Sequence, residues 1–122
     1  MKFLSKYEAH AYVLMRLILG FLMTCHGVQK LFGGLGGAKA TDTLMIVGGV
    51  VEFAGGILVA LGFQTRIAAF LVSGEMAVAY FMVHASRGFF PIVNHGEPAV
   101  AYCFAFLYIA TRGVGSWGID KN

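Results

Sequence analysis

The chain has 122 residues, 58% of them hydrophobic and 12% charged, with a formal net charge of +3 and a mean hydropathy of +0.76. An average water-soluble domain carries roughly 25% charged residues, so this composition has too little polar surface to cover a body in water and points to lipid as the solvent. The basic residues are scattered rather than clustered, which argues against nucleic acid as a partner, and the length suits one helical domain over 1–122.

The first predicted helix covers 8–32, longer than the roughly 20 residues a bilayer requires. Its apolar run holds Arg16 and lacks a small-x-small cleavage site, so it is expected to be retained rather than removed as a signal peptide. Gly33, Gly34, Gly36 and Gly37 stop it. The second helix, 44–63, carries a single charge, Glu52, near its middle, a strong spanning signal. Gln64 and Thr65 are a link too short for anything but an antiparallel hairpin into the third helix, 66–84, which again holds one central carboxylate, Glu75. Pro98 opens a short fourth helix, 98–111. The expected fold is all-α: an integral membrane four-helix transmembrane bundle of up-down topology. Strands are disfavoured by the length of the apolar runs, by the lack of period-two alternation and by the edges an open sheet would leave in hydrocarbon. An even number of crossings puts both termini on one face. That face holds Lys2, Lys6, Arg66, Arg112 and Lys121 against Lys30, Lys39 and Arg87 on the other, so the termini are expected in the cytoplasm.

A charge at mid-bilayer costs roughly 2.5 to 3.5 kcal/mol on insertion scales, so Arg16, Glu52 and Glu75 are expected to face the bundle interior. At about 1.5 Å rise per residue they share a depth, which makes a pair between Arg16 and either carboxylate geometrically feasible. Gly48, Gly49, Gly55 and Gly56 lie three and four residues either side of Glu52, on its face. Two readings stay open for them: close helix packing, which includes a homodimer, or space beside the carboxylate for a ligand head group.

A second group gathers near the opposite face. His26 and Lys30 are four residues apart, His84 closes the third helix, and the following loop adds Arg87, Asn94, His95 and Glu97. Lys30, His26, His84 and Glu97 suit a quinone head group, since imidazole changes charge near neutral pH and lysine stabilises a quinolate oxygen. A solvated interface with a snorkelling lysine is the other reading. Cys25 and Cys103 fall at similar depths, either bridged if their helices touch there or left as buried thiols. Their spacing and that of the histidines match no metal or haem motif, and no cofactor motif is evident. Phe89, Phe90 and Trp117 stand at span ends as interfacial aromatics do.

Several separated motifs then resemble one family, the DoxX family of small bacterial membrane proteins. Arg16 and Gly20 followed by His26, Gly27, Lys30 and Leu31 are similar to its R-x-x-x-G and H-G-x-x-K-L elements. Glu52, Gly55, Gly56, Leu61 and Gly62 fit its second helix, and Thr65, Arg66, Ala68 and Ala69 its T-R-x-A-A start to the third. Residues 74–80 and then Gly88, Phe89, Phe90, Pro91, Asn94, Gly96 and Glu97 are similar to one branch of the family. In the tail Gly113, Gly115 and Asp120 fit, while Gly118 replaces a usual serine and His95 stands where glycine is common.

The resemblance implies a four-helix protein of the bacterial inner membrane and an oxidoreductase subunit that meets quinone. Glu52, Glu75 and Arg16 would then organise the interior or carry protons. Without a flavin, haem or iron–sulfur motif, a redox role needs electrons from a redox partner protein or direct thiol chemistry. A non-catalytic scaffold for another complex is the alternative from a different class, and a transporter is less favoured because no broken-helix pair is visible.

Overall fold

Local signals set the helix boundaries. Asp42 caps the second long helix, its Oδ1 accepting from the Met45 N–H at 2.8 Å, and Gly33 and Gly62 end the first and second in left-handed conformations at φ 72° and 70°. The computed structural model describes residues 1–121, and the elements among them are α1 (Lys2–Ser5), α2 (Glu8–Phe32), α3 (Thr43–Leu61), α4 (Thr65–Ala79), α5 (Pro91–Asn94) and α6 (Glu97–Arg112). The α4 helix continues through a π turn, Tyr80–His84, and a 3-10 turn, Ala85–Arg87.

Among the described residues the fold is all-helical, and three helices are long and apolar enough to cross a membrane: Glu8–Phe32, Thr43–Leu61 and Thr65–Arg87. The expected fourth span forms as a helix, but its 16 residues rise only about 24 Å against a hydrocarbon core of roughly 30 Å. The short α1 and α5 carry no apolar period and were not expected.

The α2 helix packs antiparallel on α3, α3 on α4, and α4 on α6. Glycine makes the first contact close. A Cβ on Gly20 would stand 2.6 Å from the Ala60 nitrogen, and one on Gly27 would stand 2.5 Å from the Phe53 nitrogen. Gly56 meets Thr24, Gly49 meets Lys30 and Leu31, and Gly55 meets Val72. The glycine faces considered for a homodimer are thus occupied within the chain, because backbone-to-backbone packing of α2 on α3 already uses them.

Tyr12, Met23, Val59, Val72, Phe106 and Ile109 form the centre of the buried core. Outside, Leu14, Ile18, Phe21, Val50, Ile67, Phe70 and Phe104 are exposed. An apolar girdle of this kind, on helices of this length, fits a lipid bilayer.

The tail turns back beneath the end of the bundle that holds the termini. Asp120 accepts from the Gln64 N–H at 2.9 Å, the Thr65 N–H at 2.8 Å and the Thr65 hydroxyl at 2.8 Å. Gln64 offers α4 no side-chain cap, so a residue 55 positions away takes that role.

Candidate functional site

Two helix directions bring a lysine and a glutamate together. A helical side chain tilts toward its own N-terminus. Lys30 is near the C-terminal end of α2, so it tilts down into the bundle. Glu52 lies on antiparallel α3 and tilts up toward it. They meet as an ion pair, Nζ donating to Oε2 at 2.6 Å. The glutamate is fully buried, whereas the lysine side chain keeps 23% of its exposure.

Glu75 completes the cluster from α4. A Cβ placed on Gly48 would lie 3.3 Å from Glu75 Oε2 and 3.7 Å from Glu52 Oε2, so both carboxyl groups converge on the space that this glycine leaves. Glu52 Oε1 and Glu75 Oε1 are buried without a hydrogen-bond partner among the described residues, an uncommon state for carboxylate oxygens. Glycine at 48 therefore makes room for the two carboxyl groups, while 49, 55 and 56 serve packing within the chain.

The cluster stands between two cavities. One, of about 410 Å³, opens between α3 and α4 and is walled by Leu44, Met45, Val47, Val78, Met82 and Val83, with Lys30, Glu75 and His84 at its polar end. The other, of about 270 Å³, lies toward α6 and is lined by Lys30, Glu52, His26, His84, His95 and Tyr102 among others. Lys30 and His84 touch both. His84 reaches this position from the π turn, an irregularity common at functional sites.

Of the residues expected at a head-group site, Lys30, His26 and His84 line one cavity together. Glu97 is exposed at the start of α6 and stands outside the lining of both. Arg16 is fully buried but meets neither carboxylate. It tilts the opposite way, toward the N-terminal end of α2, where Nη1 donates to the Val114 carbonyl and, at 2.6 Å, to that of Trp117, and Nη2 donates to Ala60 at 3.3 Å. The expected equal depth does not hold. With Gly20 against Ala60 and Gly27 against Phe53, Arg16 lies level with the end of α3 while Glu52 lies level with the stretch just after Gly27, about 18 Å away along the bundle at about 1.5 Å per residue, and the opposite side-chain tilts widen that gap. The interior layer of Arg16, Glu52 and Glu75 is replaced by a cluster of Glu52 and Glu75 with Lys30, and a separate lock of Arg16 on the tail.

Sequence reasoning missed Tyr102 and left His95 aside as a local variation. The loop that carries His95 is fixed by Asn94, which is fully buried. Its side chain donates to the Gly88 carbonyl at 2.7 Å and the Tyr80 hydroxyl at 3.0 Å and accepts from the Gly96 N–H at 2.8 Å. Cys25 and Cys103 are both free thiols, and Ser73 donates to the Cys103 carbonyl at 2.7 Å.

Chemically, the arrangement pairs one ammonium with one carboxylate and leaves a second carboxyl group able to gain or lose a proton without depriving Lys30 of its partner. It faces an apolar groove large enough for the head of an amphiphile.

The comparisons with known proteins agree with the motifs. A family model described as DoxX matches residues 11–85, which contain Lys30, Glu52 and Glu75. An uncharacterized protein of Haemophilus influenzae is 39% identical over 129 residues, which cover 98% of this chain and 95% of that protein. No solved structure matches the chain. With the family model extending over more than half of its length, and with the matched segment holding the buried cluster, the chain belongs to the DoxX family.

Proposed function

We propose that this protein is a membrane-embedded, quinone-interacting oxidoreductase subunit of the bacterial inner membrane, with α6 as the fourth crossing of an up-down bundle and both termini in the cytoplasm. One observation carries the reading: Lys30, held from behind by the buried Glu52, and Glu75 line a groove whose other walls are mostly apolar. A molecule with a polar ring and an apolar tail fits such a groove from the side, tail among Val47, Val78 and Met82, ring against the cluster.

Quinone and quinol differ by two electrons and two protons. In the oxidising direction the quinol gives its two protons in turn to the Glu75 carboxylate, the first moving on to Glu52 before the second arrives, and its two electrons pass to a redox partner protein. The Lys30 ammonium faces the developing quinolate oxygen and stabilises its charge. Glu52 holds Lys30 in place, so it is a positioning residue as well as a second proton site. Arg16 secures the tail at the other end of the bundle and takes no part at the ring.

The test is a titration of a short-chain quinol analogue against the protein in nanodiscs, with Glu75→Gln, Lys30→Met and Arg16→Lys in parallel. Saturable binding weakened at least tenfold by the first two variants and unchanged by the third supports the proposal. Absence of saturable binding in the parent refutes it and favours a non-catalytic scaffold.

A further inference from the structure

The cavity toward α6, walled in part by Met23, Met76, Pro98 and Ala99, gathers more titratable groups than the groove between α3 and α4 and borders the fully buried Glu52. Glu52 is 0% exposed and its Oε1 has no hydrogen-bond partner among the described residues. The titratable groups that line the same space are His26 and Lys30 of α2, His84 of the π turn, His95 of the link between α5 and α6, and Tyr102 of α6. Where several polar groups converge on a cavity, water meets the need of an orphan acceptor, and at about 30 Å³ per molecule this one has room for several.

His95 marks the opening. It is exposed, and its backbone adopts φ 61°, ψ 22°, a left-handed conformation that glycine reaches at least cost. The Asn94 hydrogen bonds hold the loop in that shape, and the Asn94 carbonyl accepts from His84 Nδ1 at 3.2 Å. An imidazole at a strained position on a fixed loop is a feature that packing alone does not require.

We propose that this cavity is a water-filled chamber through which the Glu52 carboxyl group exchanges protons with the aqueous phase, His95 standing at its mouth. A proton leaving Glu52 passes to a cavity water, and from there to the His95 imidazole or to bulk water; no electron moves in the step. As a proton route the chamber rests on the proton-exchanging role given above to the cluster. The groove between α3 and α4 then admits the amphiphile, and the chamber serves protons from the aqueous face opposite the termini.

The experiment is thiol labelling in proteoliposomes with the charged, membrane-impermeant reagent methanethiosulfonate ethylsulfonate, on full-length protein with Cys25 and Cys103 replaced by alanine. Ala99→Cys, which also borders the apolar hollow beside Phe81 and Phe104, reports on the chamber together with Tyr102→Cys, and Val78→Cys reports on the groove. The expected result is labelling of Ala99→Cys at least tenfold faster than Val78→Cys, slowed at least threefold by His95→Trp, with Val78→Cys unaffected. Equal rates at the two positions, or no effect of His95→Trp, overturn the proposal. Should Ala99→Cys fail to fold, Tyr102→Cys reports on the same space. The labelling needs no quinone, so fast labelling together with failed quinol binding removes the ligand class and leaves the chamber standing.

Discussion

Replacing Lys30 with methionine isolates the energetics of the buried pair. Methionine keeps the unbranched stem and removes the donor that stands 2.6 Å from Glu52 Oε2. Glu52 is already fully buried with its other oxygen unpartnered, so the variant leaves both oxygens without a donor from the protein. Breaking a buried pair from one side costs about 3 to 5 kcal/mol. The reverse change, Glu52→Gln, is milder, because Lys30 retains 23% exposure and its ammonium can reach toward the head-group region. Reversible unfolding by sodium dodecyl sulfate, followed by circular dichroism, measures both. We expect Lys30→Met to lose about 3 to 5 kcal/mol. Lys30→Met/Glu52→Gln should recover about 2 kcal/mol of that loss, a coupling of the size found for residues in contact. A loss under about 0.5 kcal/mol for Lys30→Met, as for an exposed pair, or strict additivity of the two changes, would refute the argument.

Three further outcomes follow from the packing. Gly56→Ala places a Cβ 2.5 Å from Thr24 Oγ1 and 2.7 Å from the Gly20 carbonyl; the same unfolding assay should show a loss of about 1 to 3 kcal/mol, whereas Gly74→Ala, with nothing within 4 Å, should gain up to about 1 kcal/mol from helix propensity. Asp120→Asn should lower the thermal midpoint at neutral pH, because the Thr65 and Gln64 N–H groups and the Thr65 hydroxyl hold the Asp120 carboxyl below its ordinary range. A depressed folded value places this stabilisation above the unfolded value near pH 4, so the midpoint difference should shrink as pH falls below about 4 and persist at pH 7. Arg16→Met frees the Val114 and Trp117 carbonyls from their donor, and limited proteolysis should then cleave the tail after Arg112 several-fold faster than in the parent.

The helices were legible because apolar period and glycine punctuation mark them. The α2 helix spans Glu8–Phe32 as expected, and α3 differs only at its ends, where Thr43 starts it on the Asp42 cap and Leu61 ends it before Gly62. The π turn at Tyr80–His84 was not legible; it arises where α4 meets the loop that Asn94 fixes, a tertiary arrangement rather than a local propensity. The site was half legible. Lys30, Glu52 and Glu75 stood out as ionisable groups in apolar runs, and Lys30, His26 and His84 were grouped at one level. Their sorting into layers by backbone depth placed Lys30 apart from Glu52. The register that the glycine contacts impose, Gly20 on Ala60 and Gly27 on Phe53, sets Lys30 level with Glu52 and Arg16 well away from it, and the opposite tilts of the α2 and α3 side chains close the remaining gap. Depth counted from the helix ends misses that register, because packing and not helix length decides it. The tail lock was less accessible, since Arg16 finds backbone carbonyls of Val114 and Trp117, which no residue type announces.

The most direct measurement of the central claim is photolabelling with an azido-quinone in nanodiscs, mapped by peptide mass spectrometry. The account predicts adducts on the groove between α3 and α4, at Met45, Val78 or Met82, suppressed by excess unlabelled quinone and by Glu75→Gln. Labelling spread evenly over the exposed apolar girdle, or concentrated on the other side of α4 at Phe81, Phe89 and Phe104, would contradict it.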